Sequence, residues 1–590
     1  MKNLTHSLLI SGLAAGAATA QIHPAYKREG ATFTPNNLFT RQSGNANLPL
    51  TGGMDVFPDG RVALVEWGCP GSVFIFSGLD KGSSGISVKR FATGIDNALG
   101  LKIVDGIIYV MEKEALTQLK DTDGDGVADE YNMINEAFPS DNGMLNFSYD
   151  LGYLNGAFYA AMSSDVHIGG QDWGSGSWPG TTALAGRSTL YKLNLDGTSS
   201  AVACGFRNPN GMWTNGEDLF VTDNQGSWEP SSKVIHIKQG RFYGHRTNPV
   251  NACQTANNNV ESPPLAWANY GDGNTDATGR SWGNGTVLSQ GIYAGQMLVG
   301  ETVQDHVNKV VRVFTENVGG ELQGAIMPFV KSGVSGVFRI KEGPAGRIYL
   351  GLAGSNCCWG PRGGMEPGFD VLVPNGTTAF DVLAVRNKGN NSFEIEFTKP
   401  VGASGGTAGN YKARIWQNNA VEAYGGGNMQ NASNLTVSAA TVSADKLKVT
   451  LTISGLQTGR VVKLNFSGIT AEDGSTLFTN FALYTINKFG PGTDYKYVPT
   501  TTHAASPSRA PEAGWKLVSG KNGYSVRFLG DAASPKDITV YDLSGAKRLE
   551  LRGISGAEAR LETSGLTRGM YLVHVRGPRM GFGAGTLLIP

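Results

Sequence analysis

The densest group of residues able to do chemistry lies between Gly205 and Tyr243, which reads GFRNPNGMWTNGEDLFVTDNQGSWEPSSKVIHIKQGRFY. Arg207 offers a planar fork that pairs bidentately with a carboxylate, and Asn208 beside it adds one donor and one acceptor. Backbone carbonyls at the Gln225-Gly226-Ser227 turn are hard oxygen donors suited to calcium. Together these residues point to an anionic, planar ligand.

A second group is Asp121-Thr122-Asp123-Gly124-Asp125-Gly126 with Asp129. Carboxylates at relative positions 1, 3, 5 and 9 with glycine at 6 follow the spacing of a calcium loop, because the glycine lets the chain turn sharply enough for them to converge. The twelfth position is Asn132 rather than glutamate and no helix pair flanks the loop, so a structural clip is expected, the alternative being a solvated acidic turn. Cys357-Cys358-Trp359 and Arg362 form a third group. Trp359 could stack on a sugar or a quinone and Arg362 could add positive charge. The two cysteines either bridge each other or bond elsewhere, for example to Cys204 or Cys253.

Six copies of one pattern must position these groups: a turn with glycine followed by an apolar strand. They are PDGRVALVEW, VDGIIYVMEK, LNGAFYAAMSS, TNGEDLFVTDNQG, YAGQMLVGE and GPAGRIYLGLAG, with turn glycines 60, 106, 156, 216, 295 and 346 spaced 46 to 79 residues apart. That period suits propeller blades of ~40 to 50 residues plus insertions. The expected fold is all-β: a six-bladed β-propeller over 21–372, then an immunoglobulin- or fibronectin-like sandwich over 373–487, where NSFEIEFTKPV, LKVTLTISGL and VVKLNFSGIT alternate with period two. A Pro-, Thr- and Ser-rich linker is expected over 488–512, followed by a small β-sandwich over 513–590.

The G-x-R-N-P-x-G segment and the Q-G turn, with STLYKLNLDGTSS upstream, resemble the soluble glucose/sorbosone dehydrogenases, quinoproteins that hold pyrroloquinoline quinone (PQQ) and calcium on a propeller. The resemblance is dense from about Leu190 to Gly244. It implies Arg207 and Asn208 as PQQ contacts, Gln225 as a lining residue, and Gly226 with Ser227 as calcium ligands. It also implies a histidine base oriented by an aspartate. Asp165 matches the aspartate, but the histidine's expected place near Ser140-Asp141-Asn142 holds none, which leaves His167 as the substitute base. His245, His306, Glu301 and Asp305 are weaker candidates; Glu301 and Asp305 fit a solvated loop equally well.

Composition sets the compartment and excludes other classes. Lys+Arg and Asp+Glu balance at 49 each, so no basic field argues for nucleic acid. Lys2, the apolar run from Leu8 to Ala18, and Ala18-Thr19-Ala20 read as a secretory signal removed before Gln21. No later segment reaches the ~20 apolar residues of a spanning helix, so no transmembrane segment is expected. Among the five cysteines, Cys69, Cys204, Cys253, Cys357 and Cys358, there is no CxxC or CxxCH, against a zinc thiolate site or attached haem. At the other end, Val540-Tyr541-Asp542-Leu543-Ser544-Gly545 and Gly569-Met570-Tyr571-Leu572-Val573 resemble the C-terminal sorting (Por) domains of the type IX secretion system. That resemblance implies recognition by secretion machinery and release or display outside the cell.

The reading is therefore a PQQ- and calcium-dependent dehydrogenase of a sugar or alcohol that passes electrons to an external acceptor. The alternative is a non-catalytic propeller binding carbohydrate or another surface ligand. A lactonase would need clustered Glu, Asn and Asp ligands at the channel, and no such set stands out.

Overall fold

The structure, a computed structural model, describes residues 21–29, 50–68, 70–81, 85–136, 138, 147–164, 186–246, 260–270, 281–302, 309–332, 334–353, 367–495, 515–520, 523–528, 535–542, 546–577 and 581–589. Among these every long element is a strand.

Six four-stranded antiparallel units form the blades of a propeller. Their innermost strands are Thr51–Val56, Gly100–Val104, Ser148–Leu154, Gly211–Thr214, Trp282–Val287 and Val337–Glu342. These pack side by side in that order, and the sixth returns to the first. The six turn glycines sit in the hairpins between the inner and second strands, all at positive φ from 68° to 96°, where a side chain would be strained. The richness in glycine has a further cause. Gly53, Gly100, Gly211 and Gly283 lie where a Cβ would strike the backbone of the next blade, so glycine sets how tightly the inner strands close around the channel.

Blade 6 is completed by the start of the described chain. Tyr26–Glu29 pairs antiparallel with Pro367–Pro374, Tyr26 opposite Pro374, so the two ends of the propeller segment are hydrogen-bonded into one sheet. The second strands, such as Val62–Glu66 and Met297–Glu301, are buried along their whole length, as expected for strands covered on both faces by neighbouring blades.

The following sandwich packs Val382–Asn387, Ser392–Phe397, Val437–Val442 and Lys448–Ile453 against Tyr411–Gln417, Gln430–Leu435, Arg460–Phe466 and Phe481–Ile486. Phe393, Ile395, Leu451, Val462 and Leu464 share its core. Ser392–Phe397 alternates strictly between buried and half-buried, the period-two pattern of one covered face. This sandwich is continuous with the propeller: Phe481–Ile486 pairs with the outer strand of blade 5, Glu321–Val330, with Ala325 opposite Tyr484.

A buried polar cluster reinforces that junction. Asp381 accepts hydrogen bonds from Arg312 Nη2 (3.1 Å), Tyr293 Oη (2.9 Å) and Thr479 N (3.1 Å), and lies 3.1 Å from His23 Nε2. The first residues of the expected linker are also tied down rather than free: Thr493 and Asp494 pair with Asn317 and Glu316 of blade 5, and Arg386 binds Asp494 with both Nε and Nη2 at 2.6 Å. Paired backbone and a two-point ion pair outweigh the local composition there. The C-terminal module is a small two-sheet sandwich whose core includes Val526, Ile538, Val540, Val573 and Val575.

Candidate functional site at the upper face of the propeller

At one end of the channel, here the upper face, the inner strands begin and the second strands finish. A repeated device is visible there. In blades 2, 4 and 5 the second strand ends in a carboxylate that accepts backbone N–H groups from the loop entering its own blade. Glu112 Oε2 accepts from Asp96 N (2.7 Å), Asp223 from Arg207 N (3.0 Å) and Asn208 N (2.7 Å), and Glu301 Oε1 from Ser281 N (3.1 Å). Glu66 ends the second strand of blade 1 in the same position and is buried. Burial raises these carboxyl groups where a shift is resolved. Glu112 is pushed up to about 7 by burial against the pull of Thr117 and the Asp96 amide, and Asp223 is raised by burial against Lys233 and its two amides.

Asp223 therefore fixes the backbone of the Arg207-Asn208 loop. The Arg207 side chain is buried and packs on Gly226, where a Cβ would land on the guanidinium. Its charge, with those of Arg187 and Arg339, bears on the buried Tyr149 hydroxyl, whose pKa is raised by burial while the three guanidinium groups pull it down. Arg187 Nη2 donates to Ser163 Oγ (2.6 Å), and Arg339 Nη1 donates to the carbonyls of Phe338 (2.9 Å) and Asn210 (3.1 Å). The Asn208 Oδ1 atom is buried and has no protein donor among the described residues. Arg339 and Arg187 are thus spent on protein acceptors, while Arg207 and the Asn208 amide acceptor lie together in the loop that Asp223 fixes, a pair suited to a ligand with a carboxylate group.

The sandwich reaches this site. Its 418–429 loop places the Tyr424 ring 5.3 Å from the Arg207 guanidinium carbon, and Tyr424 Oη donates to Gln225 Oε1 (3.1 Å). Gly425 N donates to the Gly226 carbonyl (3.0 Å), and Trp228 N to the Val421 carbonyl (2.8 Å).

No family model matches this chain, and no curated protein matches it. Among solved structures, the fold is similar to an oxidoreductase of Thermus thermophilus assigned as a glucose dehydrogenase: 16% identity, 55% of this chain, 97% of that one, TM-score 0.41. It is also similar to the PQQ domain of pyranose dehydrogenase from Coprinopsis cinerea, at 11% identity over 59% of this chain and 98% of that one with TM-score 0.38. A protein assigned as a gluconolactonase matches at 14% identity over 60% of this chain and 94% of that one, TM-score 0.34.

The site residues expected from sequence divide into three sets. Arg207, Asn208 and Gln225 are buried together at the upper face. Asp165, His167, Trp359 and Arg362, with Asp305, His306, Cys357 and Cys358, lie outside the described residues. Gly226 and Ser227 are in place, but their carbonyls are engaged. Gly226 O accepts from both Glu229 N (3.2 Å) and Gly425 N (3.0 Å), and Ser227 O accepts from His245 Nδ1 (2.9 Å). A carbonyl oxygen has two lone pairs. Gly226 has none left for a cation, so the turn as folded does not fit calcium. His245 is buried as the brace beneath it. Glu301 is not in a solvated loop; it is fully buried, bonded to Ser281 N and Trp282 Nε1 (2.9 Å), because it belongs to the set of strand-end carboxylates.

The acidic loop lies at the opposite end of blade 2, between its third and fourth strands. Carboxylate oxygens of Asp121, Asp123 and Asp129 gather within 4.8 Å of one another. Asp121 accepts from the amides of Gly124 and Gly126 (both 2.8 Å), while Asp125 turns to the Val127 amide (2.7 Å) and stands outside the cluster.

Two contributors were missed in the sequence. The strand-end carboxylates were readable, since the repeats themselves end VEW, MEK, VTDN and VGE. Tyr424 carried no signal beyond the unusual run of glycines after it.

Proposed function

We propose that the upper face binds an anionic planar ligand on Arg207, and that the protein is a PQQ-using dehydrogenase of a sugar or alcohol. The observation that carries this reading is the buried guanidinium of Arg207, seated on a residue without Cβ in a loop whose backbone Asp223 holds, beside the open acceptor of Asn208. When bound, the quinone would accept two electrons from the alcohol carbon. Arg207 would hold a carboxylate of that group, Asn208 Oδ1 would accept a hydrogen bond from the bound molecule, and Gln225 would line the site. His167 is the proposed acceptor of the substrate hydroxyl proton, with Asp165 orienting it, and electrons leave to an external acceptor.

The saturated Gly226 carbonyl favours a second reading, a non-catalytic propeller that binds carbohydrate or another surface ligand by the same face. Adding PQQ to the purified full chain, with and without calcium, and following absorbance and dye-linked oxidation of a sugar panel separates the two. Saturable binding that Arg207→Ala abolishes, with turnover, supports the dehydrogenase. Absence of PQQ binding rejects it, and binding without turnover points to a lost base.

Calcium is proposed instead on Asp121, Asp123 and Asp129 as a clip for blade 2. Millimolar calcium should raise the thermal midpoint of the wild type by a few degrees and leave Asp123→Asn unmoved. Export is proposed from the signal segment and the sorting module; amino-terminal sequencing of secreted protein should start at Gln21.

A further inference from the structure

Below the upper face the channel carries a second polar group. Side chains of three inner strands cap the free edge of the next blade's inner strand: Asp55 Oδ2 accepts from Ile103 N (3.1 Å), Asp150 Oδ2 from Met212 N (2.8 Å) and Asn284 Oδ1 from Ile340 N (2.7 Å). An uncharged amide makes this cap between blades 5 and 6, so the cap itself needs no charge. The carboxylate of Asp55 has further partners. Lys341 Nζ of blade 6 lies 3.1 Å from its Oδ1 and Lys102 Nζ of blade 2 lies 3.8 Å from its Oδ2, and the three side chains are 11% to 19% exposed. Asp55 and Lys341 each stand one residue from the end of their inner strand, which sets the group toward the lower end of the channel.

One carboxylate thus serves two amines. Asp150, the other acid that bears on them, is already matched: its oxygens accept from Met212 N and Leu151 N (2.9 Å), and Arg339 Nε lies 3.9 Å away. For Lys341 burial is outweighed by Asp55, and the pKa is raised. Burial brings the Lys102 ammonium down to about 8, with the Lys341 charge adding to it and Asp55 and Asp150 opposing. Both lysines are therefore charged in most molecules at pH 7, and one positive charge stands in excess where little water reaches. We infer that Lys102 and Lys341 hold a small inorganic anion of single charge in the lower part of the channel. The anion gives the Lys102 amine the hydrogen-bond partner that Asp55, at 3.8 Å, does not. A single negative charge leaves the group neutral, whereas a dianion would reverse the imbalance. The site shares no residue with the one at the upper face.

The test is trace acetylation of the full chain with acetic anhydride at pH 8, read lysine by lysine by peptide mass spectrometry. Labelling is compared between sodium HEPES, whose anion is too bulky for the channel, and sodium chloride or nitrate at the same ionic strength. An anion bound on Lys102 keeps that amine protonated and covered, so chloride or nitrate at about 100 mM should slow its labelling about fivefold or more, while the exposed Lys412 stays within about 1.5-fold. Lys341→Met should abolish the protection of Lys102. Asp55→Asn keeps an acceptor for Ile103 N and removes the competing charge, so half-protection should come at an anion concentration several-fold lower than in the wild type. A purely structural ion pair predicts no such gain. Lys102 labelling that is equal in HEPES and chloride, that falls equally in Lys341→Met, or that is absent even in HEPES overturns the inference. Should Lys341→Met fail to fold, the direction of the Asp55→Asn shift decides alone: unchanged or weaker protection overturns it.

Discussion

At the scale of residues, the site depends on what is missing as much as on what is present. Gly226 lets the Arg207 guanidinium lie against backbone, so Gly226→Ala should displace it and reduce PQQ binding as severely as Arg207→Ala, measured by the same absorbance titration. Asp223→Asn tests the positioning of the loop. An amide can accept from only one of the two N–H groups at Arg207 and Asn208, so it should cost about 1–3 kcal/mol in urea unfolding. Arg207 and Asn208 were legible because their chemistry and spacing stand together in seven residues. The engagement of Gly226 O was not, since its second donor, Gly425, comes from almost 200 positions away.

At the scale of elements, the junction between blade 5 and the sandwich is a single sheet sealed by Asp381. Burial opposes ionisation of that carboxylate, but the His23 hydrogen bond and the Arg312 charge outweigh it and hold the pKa at about 2. Because this lies below the unfolded value, the contribution is complete above about pH 4 and is lost as the pH falls from there toward 2. A shift of nearly two units corresponds to roughly 2–3 kcal/mol. Thermal unfolding between pH 5 and 2 should therefore fall less steeply for Asp381→Asn than for the wild type, although that variant starts lower. The strands of both domains were readable from glycine turns and from period-two alternation. Their joining was not, because alternation shows which face of a strand is covered but not which strand will lie beside it, and the edge of the sandwich continues blade 5.

At the scale of the whole molecule, closure is the dominant constraint. Tyr26–Glu29 completes blade 6 and His23 joins the Asp381 cluster, so one short segment seals the ring and the domain junction together. Removing residues 21–29 should lower stability by at least about 3 kcal/mol, the scale of breaking a buried ion-pair network, and differential scanning calorimetry should show the propeller and sandwich transitions falling together. The strand-end carboxylates each hold the entering loop of their own blade, but the blade 4 loop is also bonded to its neighbours. Ser164 Oγ of blade 3 donates to the Arg207 carbonyl (3.1 Å), Asn210 Nδ2 donates to the Trp282 carbonyl of blade 5 (2.6 Å), and Arg339 Nη1 of blade 6 donates to the Asn210 carbonyl (3.1 Å). The upper face is thereby keyed like a lock: a loop exchanged with its own anchoring carboxylate would keep its seat in the blade and lose its fit to the three blades around it.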